Sequence, residues 1–479
     1  KKADKAIGPQ MLLDFMHEID RIHAAANMPF ALGGTDEQGN DLINELSYLL
    51  LETYRKAGTH CTKLHLLISK NTPRDIVENA LDAVREGNNS IVFMDDGRVI
   101  KSLELLGEEH RDAVNYHVVG CYECGANGEI TCSCGTRMNL AKALEMALFS
   151  GVDLLTGKQI GLANDGVFPT FDDLFSEYLR QVKYAVDCGI YCTDLCEENY
   201  GMLHAAPIFS ATYVSALENG GDLYCDHSAK YPNSSVDAIG LATATDSLAA
   251  IRKLVYEDKS LTLDEFKAIL KNNWEGQEVL RLTVKNKFPK YGMGDKKTDD
   301  LAKKTVDALA AQVNGPPNKK GGVYRLGLFS IDWRWKFGSL TGASADGRLS
   351  GETVSQNTGA TFGADRNGAT AHLLSVAYLD GTRTPNGAIV DLDLHSSAVR
   401  GENGLNAMTA SLYTFLALGG FCIHYNVLDT ETLKKAKDNP EAYPNLQVRL
   451  CGWNVLFSSL SEKEKEEFIA RSESAGMSA

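Results

Sequence analysis

The chain has 479 residues, a formal net charge of −15, 44% hydrophobic and 23% charged residues, which is the balance of a globular protein rather than a disordered one. That acidity, with no basic stripe to offset it, excludes nucleic acid and anionic membrane surfaces as partners. No apolar run approaches the ~20 residues that span a bilayer, no signal peptide is expected, and the eleven scattered cysteines read as reduced thiols of a cytoplasm.

The first residue is Lys1, so the sequence is expected either to be processed or to be part of something longer. Residues 10–26 predict an amphipathic helix, with Met11, Leu12, Phe15, Ile19 and Ile22 at helical spacing. A short strand at 28–34, a helix at 40–57, a strand at 62–69, a helix at 73–86 and a strand at 90–93 follow. This alternation of strands and helices predicts an α/β fold. Further helices are expected at 141–148, 171–188, 247–256 and 263–273, the last with Thr262 as its N-cap. Residues 314–322 and 344–348 read as turns. Residues 429–443 form a connector with a helix at 431–437, then Pro440 and Pro444.

Two stretches carry chemistry. The first, residues 118–134, holds Cys121, Cys124, Cys132 and Cys134. Zinc would suit a Cys-x-x-Cys followed by a second pair, but here the second pair is Cys-x-Cys, the gap is short, and His117 is not at a ligand spacing. A redox pair would want a thioredoxin-like unit around it, and none is legible. Small thiols in a glycine-rich loop are the reading for Cys124, Cys132 and Cys134, and no metal is expected. The second stretch is residues 446–458, where Gly452 interrupts an apolar run. Glycine in a strand costs roughly 0.5–1 kcal/mol, so it marks a bulge or a close backbone approach. His204, Tyr224, Asp226, His227 and His424 are scattered polar residues to which no catalytic role is given.

Gly120-Cys121-Tyr122-Glu123 resembles the thiyl loop of the glycyl radical enzymes, the pyruvate formate-lyase-like family. Arg449-Leu450-Cys451-Gly452-Trp453 resembles that family's C-terminal radical loop. Residues 31–36, 342–348, 363–368 and 425–433 resemble it as well. The resemblance implies a ten-stranded α/β barrel of two antiparallel five-stranded half-barrels with the radical loops inside. This chain would supply the later part, with residues 1–428 in the barrel and 429–479 a glycine radical domain. It further implies a glycyl radical on Gly452, installed by a radical-SAM activating enzyme, a thiyl radical on Cys121, and Glu123 as acid or base. No permanently bound cofactor is implied. A homodimer, a small-molecule substrate, and a missing N-terminal part or partner chain belong to the same expectation.

The residue after the cysteine separates the subclasses. Pyruvate formate-lyases proper place two cysteines side by side, whereas here the second position is Tyr122. The resemblance is therefore to the eliminases and decarboxylases, with loop spacing nearest the hydroxyproline dehydratase-like branch. That branch is expected to carry a tyrosine where this chain has Arg137. A guanidinium there would hold an anionic substrate group or pair with a structural carboxylate. The expected activity is a dehydratase-type lyase; the alternatives are an arylacetate-type decarboxylase, a formate C-acetyltransferase-like enzyme, and a radical-supplying subunit that depends on a partner chain.

Overall fold

The computed structural model describes residues 7–21, 28–59, 62–126, 135–203, 205–225, 228–330, 333–450 and 452–477. Its organising feature is an ordered series of strands. Thr136–Asn139, Ser234–Ile239, Tyr324–Leu328 and Gly387–Ala388 pair side by side, all parallel. After Ile389 alone, the same extended run continues as Val390–His395, parallel to Cys422–Leu428. Direction then reverses once: Cys422–Leu428 is antiparallel to Ile91–Asp95, beyond which Thr62–Ile68 and Met28–Gly33 follow in parallel. Helices connect the strands, as the α/β reading expects.

Strands flanked on both sides by parallel neighbours are usually buried on both faces, so their sequences lose the period-2 signal. Ser234–Ile239 and Tyr324–Leu328 are buried at every residue; the first lacks a strict alternation, while the second keeps one, Arg325 and Gly327 falling between Tyr324, Leu326 and Leu328. Thr62–Ile68 alternates too, with Lys63 between Thr62 and Leu64 and His65 between Leu64 and Leu66, yet all seven residues are buried. A charged residue in that position needs partners, and it has them at the site described below.

Helix lengths depart from the sequence reading where burial or register overrides periodicity. The helix read at 171–188 runs on as Phe171–Leu203. The helix read at 247–256 starts earlier, as Leu241–Ile251, and continues as a π-helical turn, Arg252–Glu257. Leu241–Ile251 is buried on all sides, so it presents no apolar stripe from which to read its start. Helix Glu45–Ala57 begins later than read because Asn44 caps it, accepting from the Leu46 amide.

Two antiparallel hairpins stand apart from the sheets: Tyr116–Val119 with Glu123–Ala126, and Gln447–Leu450 with Trp453–Leu456. The second belongs to a small core of its own, in which Leu428, Leu433, Ala436, Val448, Phe457, Leu460 and Phe468 pack together. The first joins the large core of the sheets through Tyr116, Val118, Cys121, Tyr122 and Cys124.

Candidate active site

The two hairpins meet tip to tip. Gly120-Cys121-Tyr122 forms the turn of the first, with Gly120 at φ 56°. Gly452 sits in the turn of the second at φ 125°, a conformation that side chains rarely adopt. A Cβ built on Gly452 would lie 2.7 Å from Cys121 Sγ and 3.0 Å from Cys121 Cβ. Only a residue without a side chain lets the backbone come this close to the sulfur. The close approach read from Gly452 is thus an approach to Cys121. Both residues are buried, Cys121 at 6% exposure.

Glu123 folds back over its own loop. Its Oε2 accepts from the amides of Cys121 and Tyr122, each at 2.8 Å. These bonds hold the turn in shape and keep the carboxylate beside the cysteine. Tyr122 is fully buried, and burial pushes its phenol well above its usual range. Its hydroxyl accepts from Arg449 Nη2 at 2.9 Å, so the strand entering the Gly452 turn reaches across to the Cys121 turn.

Lys63 closes the arrangement from below. Its Nζ donates to the carbonyls of Gly120 at 3.2 Å and Gly452 at 3.1 Å, and also to that of Cys121. It lies 4.5 Å from the centroid of the Tyr122 ring. Burial pulls its pKa down to about 7, the nearby Arg449 charge adding to the effect, while Cys121 and Glu123 oppose it.

The parallel strands provide the opposite wall. Arg137, Asp237, Gly327 and Gly387 occupy one rung across them. A side chain at Gly387 would run into the Tyr122 carbonyl, and one at Gly327 into the Asp237 carboxyl. Glycine at these two places leaves room for the Cys121 turn and for Asp237. Asp237 Oδ1 accepts from Asn386 Nδ2 at 2.8 Å. Burial, helped by the charge of Glu123, raises the Asp237 pKa to about 8, against the pull of Asn386, Arg137 and Arg325. The Arg137 guanidinium stacks over the Trp333 ring at 5.1 Å. Arg325 donates to the Cys124 carbonyl from the next strand.

The structure therefore brings Cys121, Glu123 and Gly452 together and sets Arg137 on the adjoining rung. Cys124 is buried, its thiol pushed up by burial and facing the Tyr122 carbonyl. Cys132, Cys134, His204, Asp226 and His227 lie outside the described residues. His424 pairs with Asp391 at 3.3 Å, and Tyr224 packs edge-on against Tyr200. Lys63, Asp237 and the partnership of Arg449 with Tyr122 escape a motif reading. The signal that could have found the first two is a charge inside an apolar, strand-like run, since lysine and aspartate are almost never fully buried without partners.

A cleft of about 200 Å³, lined by Arg334, His372, Asp391, Asp393, Glu467 and Arg471 among others, includes none of Cys121, Glu123 and Gly452. A cleft with convergent polar groups is the usual first candidate for a site. Here the meeting of two loop tips, with buried charges aimed at both, carries more chemical information than cavity size.

The pyruvate formate lyase-like family model matches residues 17–338, and the glycine radical model matches residues 354–458. Trans-4-hydroxy-L-proline dehydratase of Clostridioides difficile is 31% identical over 443 residues, covering 92% of this chain and 56% of that protein. (2S)-3-sulfopropanediol dehydratase of Klebsiella oxytoca is 29% identical over 454 residues, 92% of this chain and 54% of that protein. Among solved structures, the glycerol-bound glycerol dehydratase from Clostridium butyricum superposes with a TM-score of 0.92 at 28% identity, covering 98% of this chain and 62% of that one. The chain thus spans about half the length of the curated relatives it matches. Among the described residues, no helix is long and apolar enough to cross a membrane.

Proposed function

The chain belongs to the pyruvate formate-lyase-like family of glycyl radical enzymes, and on that footing we propose that it takes part in a thiyl-initiated elimination on a small hydroxylated or otherwise substituted metabolite. A single observation carries the proposal: the backbone of Gly452 packs against Cys121 Sγ so closely that no side chain fits between them. Hydrogen-atom transfer needs such proximity, because the reacting atoms must start within a few ångströms of each other.

In the proposed cycle a radical-SAM activating enzyme removes a hydrogen atom from Gly452 Cα. The small core in which Leu433, Ala436, Val448, Phe457, Leu460 and Phe468 pack with Leu428 supports residues 429–479 acting as a glycine radical domain. The glycyl radical then takes the hydrogen of the Cys121 S–H, which leaves the unpaired electron on sulfur. The thiyl takes a hydrogen atom from a substrate carbon beside the leaving group. Glu123 handles the proton that elimination moves at the neighbouring oxygen, and the product radical recovers a hydrogen from Cys121. Arg137 holds an anionic group of the substrate. Both curated relatives described above are dehydratases by name, which favours loss of water over decarboxylation.

The proposal includes a ten-stranded barrel. The five parallel segments from Thr136–Asn139 to Cys422–Leu428 would form one half, and Met28–Gly33, Thr62–Ile68 and Ile91–Asp95 would contribute to the other. A homodimer in an oxygen-free cytoplasm, and either an upstream part or a partner chain that completes the pocket, belong to the same reading.

The deciding experiment is electron paramagnetic resonance after anaerobic activation. Wild type should give a glycyl doublet, Gly452→Ala should give none, and air should cleave the wild-type chain at that residue. A doublet that survives in Gly452→Ala would refute the assignment.

A further inference from the structure

We propose that Lys63 is the latch of the two radical loops, a positioning residue whose ammonium ties the Gly452 carbonyl to the carbonyls of Gly120 and Cys121 and so sets Gly452 Cα against the Cys121 sulfur. The inference rests on the radical reading of Gly452 and extends it to a strand residue that belongs to neither loop.

The geometry is specific. An ammonium has three N–H donors and no acceptor, and here three carbonyls receive them: Gly120, Cys121 and Gly452. Two of these belong to the Cys121 turn and one to the Gly452 turn, so the side chain crosses the joint between the hairpins. Lys63 lies on the buried strand Thr62–Ile68, held by parallel neighbours on both sides. That rigid seat makes it a fixed reference against which both loop tips are placed. A fully buried lysine is costly unless its charge is partnered; the cost explains why the carbonyls turn inward to meet it. Withdrawal of the Gly452 turn would strip one acceptor from the buried ammonium, so the docked arrangement is favoured.

Catalysis needs this docking at one step. The S–H bond of Cys121 breaks, a C–H bond forms at Gly452 Cα, and the unpaired electron passes to sulfur, with no proton or electron left over. The reverse step restores the glycyl radical. Displacement of reacting atoms by about 1 Å can cost about 10²-fold in rate. A methionine at position 63 fills the same volume with no donor and removes the tie without opening a large cavity.

The test reads that transfer directly. In deuterium oxide the Cys121 S–H becomes S–D, reversible transfer places deuterium on Gly452 Cα, and the hydrogen splitting of the glycyl doublet collapses. Wild type should show the doublet and its collapse. Lys63→Met should form the doublet but collapse about 10²-fold more slowly, and Lys63→Arg, which keeps charge and donors, should recover most of the rate. Should the methionine variant not fold, Lys63→Gln serves, its amide ending one atom short of the carbonyls; slowed collapse supports the latch. A wild-type rate of collapse in either variant overturns the latch while leaving the radical on Gly452 intact. A wild-type protein that gives no doublet overturns the reading of Gly452 itself, and the latch with it.

Discussion

Arg449 Nη2 donates to the Tyr122 hydroxyl at 2.9 Å, joining residues that lie 327 positions apart in sequence and one on each of the two hairpins. The bond is buried at both ends. It makes Tyr122 a structural partner in the position where acyl-transferring relatives of the family are expected to carry a second cysteine.

Tyr122→Phe removes that acceptor and leaves a buried guanidinium short of a partner, with Ser90 Oγ and Asn454 Oδ1 at 3.5 Å as weak replacements. A hydrogen bond to a charged group is worth about 1.5–3 kcal/mol. The urea midpoint should fall accordingly, and the chain should become more sensitive to protease near residue 450. An unchanged midpoint would show that the bond carries no net stability.

Glu123→Gln is expected to keep the glycyl doublet and to lose turnover by about 10²–10⁴-fold, the usual contribution of a general acid or base. The amide oxygen can still accept from the Cys121 and Tyr122 amides, so the turn should hold its shape while the proton-handling group is gone. In the same assay, pyruvate and coenzyme A should yield no formate. A phenol with a pKa near 10 is a far weaker acyl acceptor than a thiol, and burial raises that of Tyr122 further. Formate production would return the chain to acyl transfer.

Arg137→Met tests the substrate contact. If the guanidinium binds an anionic group, KM for the true substrate should rise by about 10–100-fold, as loss of a charge-assisted bond predicts, with kcat less affected. An equal KM would leave the stacking on Trp333 as the residue's role.

Asp237 makes stability depend on pH. Its folded-state pKa is raised from 3.8 to about 8, chiefly by burial. Between those values the folded state holds a proton that the unfolded state has released, so stability falls as pH rises from the lower to the higher value and then levels off. Asp237→Asn should remove this slope: relative to wild type, its urea midpoint should improve steadily from acid to mildly alkaline pH. A constant difference between the two proteins across that range would show that Asp237 is ionised in the fold.

The two loops were legible in the sequence because their chemistry is local: Gly120-Cys121-Tyr122-Glu123 and Arg449 to Trp453 are contiguous, and a glycine in an apolar run demands a physical reason. The α/β class was legible from Gln10 to Phe93, where strands and helices alternate with clear periods. Ser234–Ile239 was not, because burial on both faces leaves it without a strict alternation, whereas Tyr324–Leu328 keeps an alternating pattern although all five residues are buried. The resemblance led to the expectation that Gly452 meets Cys121, and the structure agrees; tertiary structure alone decided that Gly327 and Gly387 are small to admit Asp237 and the Cys121 turn, and that Lys63 joins both turns. Such facts depend on strand order and register, which bring together residues hundreds of positions apart, and no local pattern in the chain records where a buried charge will find its partners.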